Sequence, residues 1–306
     1  MTASRFLSPE AIARIRGLQL RSRKVVDGLL QGIHRSPHHG SSIEFSEHKE
    51  YAPGDDVRHI DWKAYGRLDK YTVKRFEQES NLRAHCVVDA SGSMAYGHDG
   101  GLTKYEYAAL LAVGLAHVLI GQQDAVGLTI CAEKRHEMVA PRARYSHVNR
   151  LCEALESTTP EGPTDLTPAV DAIGERSRKR GLIFLFSDLL GDMKSTFEAL
   201  SHLVGRGHQV TVFHLLDPDE LTFPFQKMTL FLGMESSRRL LVEPRAIRRT
   251  YLRCLERYCD EVRTRCLKRH IDYLLVDTAT SPASVLLEFL TGRQLDGRRA
   301  ATRGQF

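Results

Sequence analysis

The stretch LRAHCVVDASGS (Leu82–Ser93) is an apolar run that stops abruptly on one acid and two hydroxyls. A second stretch, GLIFLFSDLL (Gly181–Leu190), repeats the design, with Ile183–Phe186 apolar and without alternation. Unalternating runs of this length are expected of strands covered on both faces. Each would deliver its polar residues to a loop at the carboxyl end of the strand.

Outward from these two runs, further short apolar segments fall at Ala125–Cys131, His136–Ala140, Gln209–Leu216 and Ile271–Val276. Helical signals separate them. Thr103 with Glu106 makes a capping box before an almost wholly apolar helix that ends at Gly121. Ser146 opens a helix with Val148, Leu151, Cys152 and Leu155 on one face, and Thr167–Pro168 starts another, closed by Gly181. Ser195 with Glu198 reads as a second capping box, for a helix that closes near Gly205 or Gly207. A longer helix runs from Pro244 to about Cys266, with Tyr251, Leu255, Tyr258 and Val262 toward the core. Strand–helix alternation predicts an α/β fold built on a doubly wound, mostly parallel sheet. Ala132–Arg135 is too short for a crossover, so His136–Ala140 is expected to return antiparallel at an edge. The expected organisation is an N-terminal segment over 1–80, the sheet domain over 81–292 and a disordered basic tail over 293–306. The first helix of the N-terminal segment would start at Ser8, with Pro9 at its first position.

Composition narrows the class. At 306 residues, 42% hydrophobic and 26% charged, the chain is an ordinary globular protein able to bury a sizeable core. The six cysteines include no CxxC pair and lie in apolar segments, which favours buried free thiols in a reducing compartment. The N-terminus lacks a secretory pattern, and the longest apolar stretch, Tyr107–Ile120, is too short to span a bilayer. Together these point to a cytoplasmic location. The net charge of +5 is modest, and its basic clusters lack the aromatic interleaving or helix-turn-helix pattern of a nucleic-acid binder. Three histidines in His34–Ser42 have no further ligands to make a metal site with.

In doubly wound sheets, ligands sit beyond the carboxyl ends of the strands where the strand order reverses. Asp89, Ser91 and Ser93 follow one strand, Ser187 and Asp188 follow another, and Thr164 and Asp165 precede a helix. Their convergence would gather oxygen ligands of the kind that small hard cations need. With only Asp89 and Asp188 as ligand carboxylates, a dication keeps little or no excess negative charge around it and can attract an acidic group from a partner.

The motifs DASGS, GPTDL and FSDLL resemble the metal-ion-dependent adhesion site of von Willebrand factor A-type domains. The upstream block EYAPGDDVRHIDWKAYGRLDKYTVKRFEQE (Glu50–Glu79) is similar to the hallmark of a bacterial family called domain of unknown function 58. The resemblance implies a metal, Mg²⁺ or else Mn²⁺ or Ca²⁺, held by Asp89, Ser91 and Ser93 in a first loop, Thr164 in a second and Asp188 in a third. Pro163 stands where many such domains have glycine and stiffens the approach to Thr164. The resemblance also implies a partner, a MoxR-type AAA+ ATPase, with which the chain would act as an adaptor, assembly or chaperone factor.

Within the upstream block, Pro53–Asp55 reads as a turn, and Asp55, Asp56, Arg58 and Asp61 offer charge-assisted pairs around Trp62. They read as a scaffold that docks the N-terminal segment, or alternatively as a partner surface. Catalysis is not expected. A haloacid-dehalogenase-type phosphatase needs a second carboxylate two residues after the first, where this chain has Ser91, and Ala90-Ser91-Gly92 lacks the first glycine of a nucleophile elbow. A metal-independent scaffold on the same fold is the alternative reading.

Overall fold

The computed structural model describes residues 43–50, 72–78, 82–132, 136–177 and 179–290. The expected first helix, the Asp55–Trp62 cluster and the basic tail lie outside them.

Strands β1 (Ile43–Glu50) and β2 (Thr72–Gln78) pair antiparallel, with a register shift between Phe45 and Glu47. This hairpin belongs to a unit separate from the sheet that begins after Asn81.

The second unit carries a six-stranded sheet of β3 (Arg83–Asp89), β4 (Ala125–Cys131), β5 (His136–Arg142), β6 (Gly181–Ser187), β7 (Gln209–Leu216) and β10 (Asp272–Asp277). Its order is β10-β7-β6-β3-β4-β5. All neighbours are parallel except β4 and β5, so the short Ala132–Arg135 link does return the chain antiparallel at an edge. The α/β, doubly wound fold is as expected. A small antiparallel hairpin, β8 (Thr229–Leu232) with β9 (Arg239–Val242), stands apart from the main sheet.

The helices are α1 (Lys104–Gly121), α2 (Tyr145–Ser157), α3 (Thr167–Arg176), α4 (Met193–Gly205), α5 (Pro218–Thr222), α6 (Pro244–Leu267) and α7 (282–290). They cover both faces of the sheet. On one face Val87, Ile183, Leu185, Val210 and Val212 pack with Ile173 of α3, Phe197 and Leu200 of α4, and Val262 of α6. On the other, Phe184 and Phe213 meet Phe289 of α7 edge-on, at 5.9 and 5.1 Å between ring centroids. Period-two alternation along each strand sends one set of side chains to each layer, which is why these strands read as continuously apolar.

Both halves of the α1 capping box form: Glu106 N donates to Thr103 Oγ1 and Thr103 N donates to Glu106 Oε2, each at 3.1 Å. The expected Ser195–Glu198 box does not. Helix α4 opens earlier, with Asp192 as N-cap accepting from Lys194 N at 2.9 Å. Ser195 instead donates its hydroxyl to Asp192 Oδ2 at 2.7 Å. An ionised Asp caps at least as well as Ser and sits free of the preceding turn. Likewise α2 begins at Tyr145 with Arg144 as N-cap, and α3 ends at Arg176, leaving Gly181 to open β6. Five cysteines are buried free thiols, whereas Cys254 is exposed.

Asp124, in the turn after α1, is buried; its Oδ1 accepts from Leu82 N at 3.2 Å while Oδ2 has no partner. Burial pushes its pKa up to about 7 against the pull of that hydrogen bond. The folded pKa lies above the unfolded value of about 4, so Asp124's contribution to stability is full below the latter and lost as pH rises through the former. Thermal melts should show wild type losing stability between about pH 4 and 7 relative to Asp124→Asn. Parallel profiles would contradict this.

Candidate functional site

Strands β3 and β6 are adjacent and in parallel register, with Val88 opposite Phe186, so their carboxyl ends deliver Asp89 and Ser187–Asp188 side by side. Asp89 is buried and held at both oxygens: Oδ1 accepts from Ser91 N at 2.9 Å, and Oδ2 accepts from Ser187 Oγ at 2.6 Å. Burial and the nearby Asp188 charge push its pKa up to about 6, while the bonds from Ser187 and Ser91 pull it down.

The loop after β3 turns through Ser91 into one 3₁₀ turn, Gly92–Ala95, which holds the Ser91 and Ser93 hydroxyl oxygens 3.1 Å apart. Backbone bonds lock the second loop onto it. Gly92 N donates to Gly162 O at 2.7 Å, and Glu161 N donates to Ala90 O at 3.2 Å. Thr164, just beyond, has a buried hydroxyl with no hydrogen-bond partner. A cavity of about 230 Å³ is lined by Asp89, Ser91, Thr164, Ser187, Asp188 and Glu235, among others. The expected residues Asp89, Ser91, Thr164 and Asp188 therefore share one cavity, and the Ser93 hydroxyl lies beside that of Ser91. Asp55, Asp56, Arg58, Asp61 and Trp62 lie outside the described residues.

Asp188 is less free than its place in the sequence suggests. Its Oδ2 accepts from the ammonium of Lys104 at 2.8 Å, and its Oδ1 accepts from Leu190 N at 3.2 Å. Lys104, the first residue of α1, is fully buried and also donates to Glu220 Oε1 at 2.7 Å. Burial works against its charge, but Asp188 and Glu220 outweigh that and hold its pKa above the usual lysine value. Behind this pair, the backbone carbonyl oxygen of Asp188 lies 3.0 Å from His214 Nε2, and the Leu189 carbonyl accepts from the Tyr258 hydroxyl.

Sequence reasoning named Ser187 among the converging residues but passed over Lys104, Glu220 and Glu235. Glu220 had a signal, since Asp217-Pro218-Asp219-Glu220 is a capping box, and both halves of it form in α5. Lys104, at a helix start, looks like any solvated lysine. Glu235 sits in the β8–β9 turn, whose position over the site no local pattern reveals.

The donor set is oxygen throughout. Among the described residues no group of three or more His, Cys, Asp or Glu is arranged to hold a metal, so a soft or borderline ion would find no nitrogen or sulfur cage here. One carboxylate oxygen pair, a couple of serine hydroxyls and an unpartnered buried threonine hydroxyl suit a hard cation that keeps part of its water shell.

A parallel α/β sheet with three loops gathered at the carboxyl edge of its central strands defines the class. Comparison with known sequences supplies the family. The family described as protein of unknown function DUF58 matches residues 47–258, and the chain belongs to it. An uncharacterized protein of Mycobacterium tuberculosis is 29% identical over 220 residues, which cover 71% of this chain and 68% of that protein. Among solved structures, the conserved hypothetical protein BatB from Bacteroides thetaiotaomicron is similar with a TM-score of 0.45 at 16% identity, over 71% of this chain and 99% of that one. The SpRpn10 VWA domain is similar with a TM-score of 0.38 at 10% identity, over 68% and 94%. The architecture rests on the strand order β10-β7-β6-β3-β4-β5.

Removing the Lys104 ammonium would leave Asp188 and Glu220 with an uncompensated buried charge. Lys104→Met should therefore cost about 3–5 kcal/mol in urea unfolding. A loss below about 1 kcal/mol, the range of exposed ion pairs, would contradict this account of the pair.

Proposed function

We propose that this chain is a metal-dependent protein-interaction module. The Asp89, Ser91 and Ser93 loop, with Thr164 and Asp188, holds a divalent cation, and an acidic group on a partner protein completes the site. The observation that carries the reading is the Thr164 hydroxyl, buried without a partner on the wall of the cavity that Asp89, Ser91 and Asp188 also line. An unsatisfied buried hydroxyl costs about 1–3 kcal/mol unless something meets it. A cation or one of its waters at this cavity would do so.

The electrostatics favour a bridge over a closed site. Lys104 and Glu220 offset one another, which leaves Asp89 and Asp188 as the two ligand carboxylates that match a dication's charge, with Glu235 a further acid on the cavity wall. The metal would supply a positive centre in a partly desolvated cleft, where attraction to an incoming carboxylate is stronger than in water. Asp89, held by Ser187 and by the Ser91 amide, presents its carboxylate in one orientation and needs no rearrangement to act. Mg²⁺ fits the hydroxyl-rich donor set, and Mn²⁺ and Ca²⁺ are alternatives.

Binding rather than catalysis is favoured by what surrounds the hydroxyls. Ser91 contacts Ser93 and Asp89, and Ser187 contacts Asp89 and the Leu189 amide; no histidine is among these partners. The partner most consistent with the family resemblance is a MoxR-type AAA+ ATPase, with the chain as its adaptor or assembly factor in the cytoplasm. Among the described residues no helix is long and apolar enough to cross a membrane.

Isothermal titration of Mg²⁺ into the wild type should give a single-site heat that Asp89→Ala abolishes. Identical heats from both proteins would sink the metal assignment. Retention of the ATPase in a pull-down should fall on chelation, whereas unchanged retention favours a metal-independent scaffold.

A further inference from the structure

The turn between β8 and β9 closes one side of the cavity with an acid of the chain's own. Glu235 lines the same cavity as Asp89, Ser91, Thr164 and Asp188, and its Oε1 accepts from Ser93 N at 3.2 Å. The backbone comes equally close: a side chain at Gly92 would place its Cβ 2.4 Å from the carbonyl oxygen of Met234. Only glycine allows the turn to lie directly on the loop that carries Ser91 and Ser93. A carboxylate is thus seated beside the two hydroxyls, on the wall of the cavity.

The hairpin that carries it is lightly anchored. Each strand has four residues, and two-stranded ribbons of this size have little stability of their own. Phe231, paired with Leu240, stacks on Phe223 at 5.7 Å and meets Phe225 edge-on at 5.2 Å, and these rings hold β8. Leu230, Leu232, Leu240 and Leu241 are all more than half exposed. At the tip, the Glu235 bond and the approach to Gly92 join the hairpin to the site. Those can be broken without unpacking the sheet.

We propose that Glu235 is an intramolecular stand-in for the partner's acidic residue: it occupies the open side of the metal site until a partner carboxylate displaces it. This rests on the metal-binding reading above. In the absence of a partner, Glu235 adds a negative charge to the ion's surroundings. When a partner binds, the β8–β9 tip is what must move. The competing explanation, that Glu235 merely caps a free amide of the 3₁₀ turn, makes a different prediction for the metal.

The test is Mn²⁺ affinity of the full chain, followed by isothermal titration and by electron paramagnetic resonance of free Mn²⁺. Glu235→Gln keeps the side chain's size and an oxygen acceptor for the Ser93 amide, so a pure capping role predicts unchanged affinity. The proposal predicts about tenfold weaker Mn²⁺ binding, the order expected for one lost charge-assisted contact. Glu243→Gln, which removes an exposed charge at the other end of β9, should leave affinity unchanged. With Mn²⁺ saturating, N-acetylglutamate as a free carboxylate probe should bind Glu235→Gln more tightly than wild type. Equal Mn²⁺ affinity in wild type and Glu235→Gln, or an equal loss in Glu235→Gln and Glu243→Gln, would overturn the proposal while leaving the metal site standing. No Mn²⁺ binding by wild type would overturn both.

Discussion

The hydrogen bond from Ser187 Oγ to Asp89 Oδ2, at 2.6 Å, ties together the ends of the two central strands. Everything else at the site is arranged around it. The parallel register of β3 and β6 sets the two residues side by side, and the Ser91 amide holds the other Asp89 oxygen. Burial raises the cost of ionising Asp89, and two donors aimed at it lower that cost again. The result is a carboxylate oriented before any ligand arrives, and pre-orientation of this kind lowers what binding must spend on ordering.

A second constraint balances the first. Asp188 would place another negative charge close to Asp89 in a poorly solvated edge, and Lys104 answers it from inside the fold. Glu220 then answers Lys104, and the helix α5 that carries Glu220 is itself closed by the Asp217–Glu220 box. The chain of pairs runs from the Asp188 loop to the ends of β7 and α5. Such an arrangement costs more to break at one member than to lack altogether, which is why these residues set geometry as much as stability.

Much of the fold was legible because the relevant signals are local. Apolar runs of five to eight residues marked the strands, Thr103 and Glu106 marked the start of α1, and the shortness of Ala132–Arg135 forced the antiparallel edge. The gathering of Asp89, Ser91, Thr164 and Asp188 at one cavity was legible because strand ends in a doubly wound sheet converge. What stayed hidden depends on contacts distant in sequence. Glu235 lies 142 positions from the Ser93 amide it accepts from, and Lys104 lies 84 from Asp188. The start of α4 was misplaced because two residue types compete for the same cap, and Asp192 took it from Ser195. The β8–β9 hairpin escaped notice because four-residue strands with exposed leucines show neither clean alternation nor burial.

The central claim is that oxygen atoms from three loops share one cation at this edge. Crystals of the protein soaked in MnCl₂ and measured for anomalous scattering test it most directly. The account predicts a manganese peak inside the cavity, within coordination or one-water distance of Asp89, Ser91 and Thr164 alike. A cavity without a peak under saturating Mn²⁺, or a peak bound only elsewhere on the surface, would contradict it.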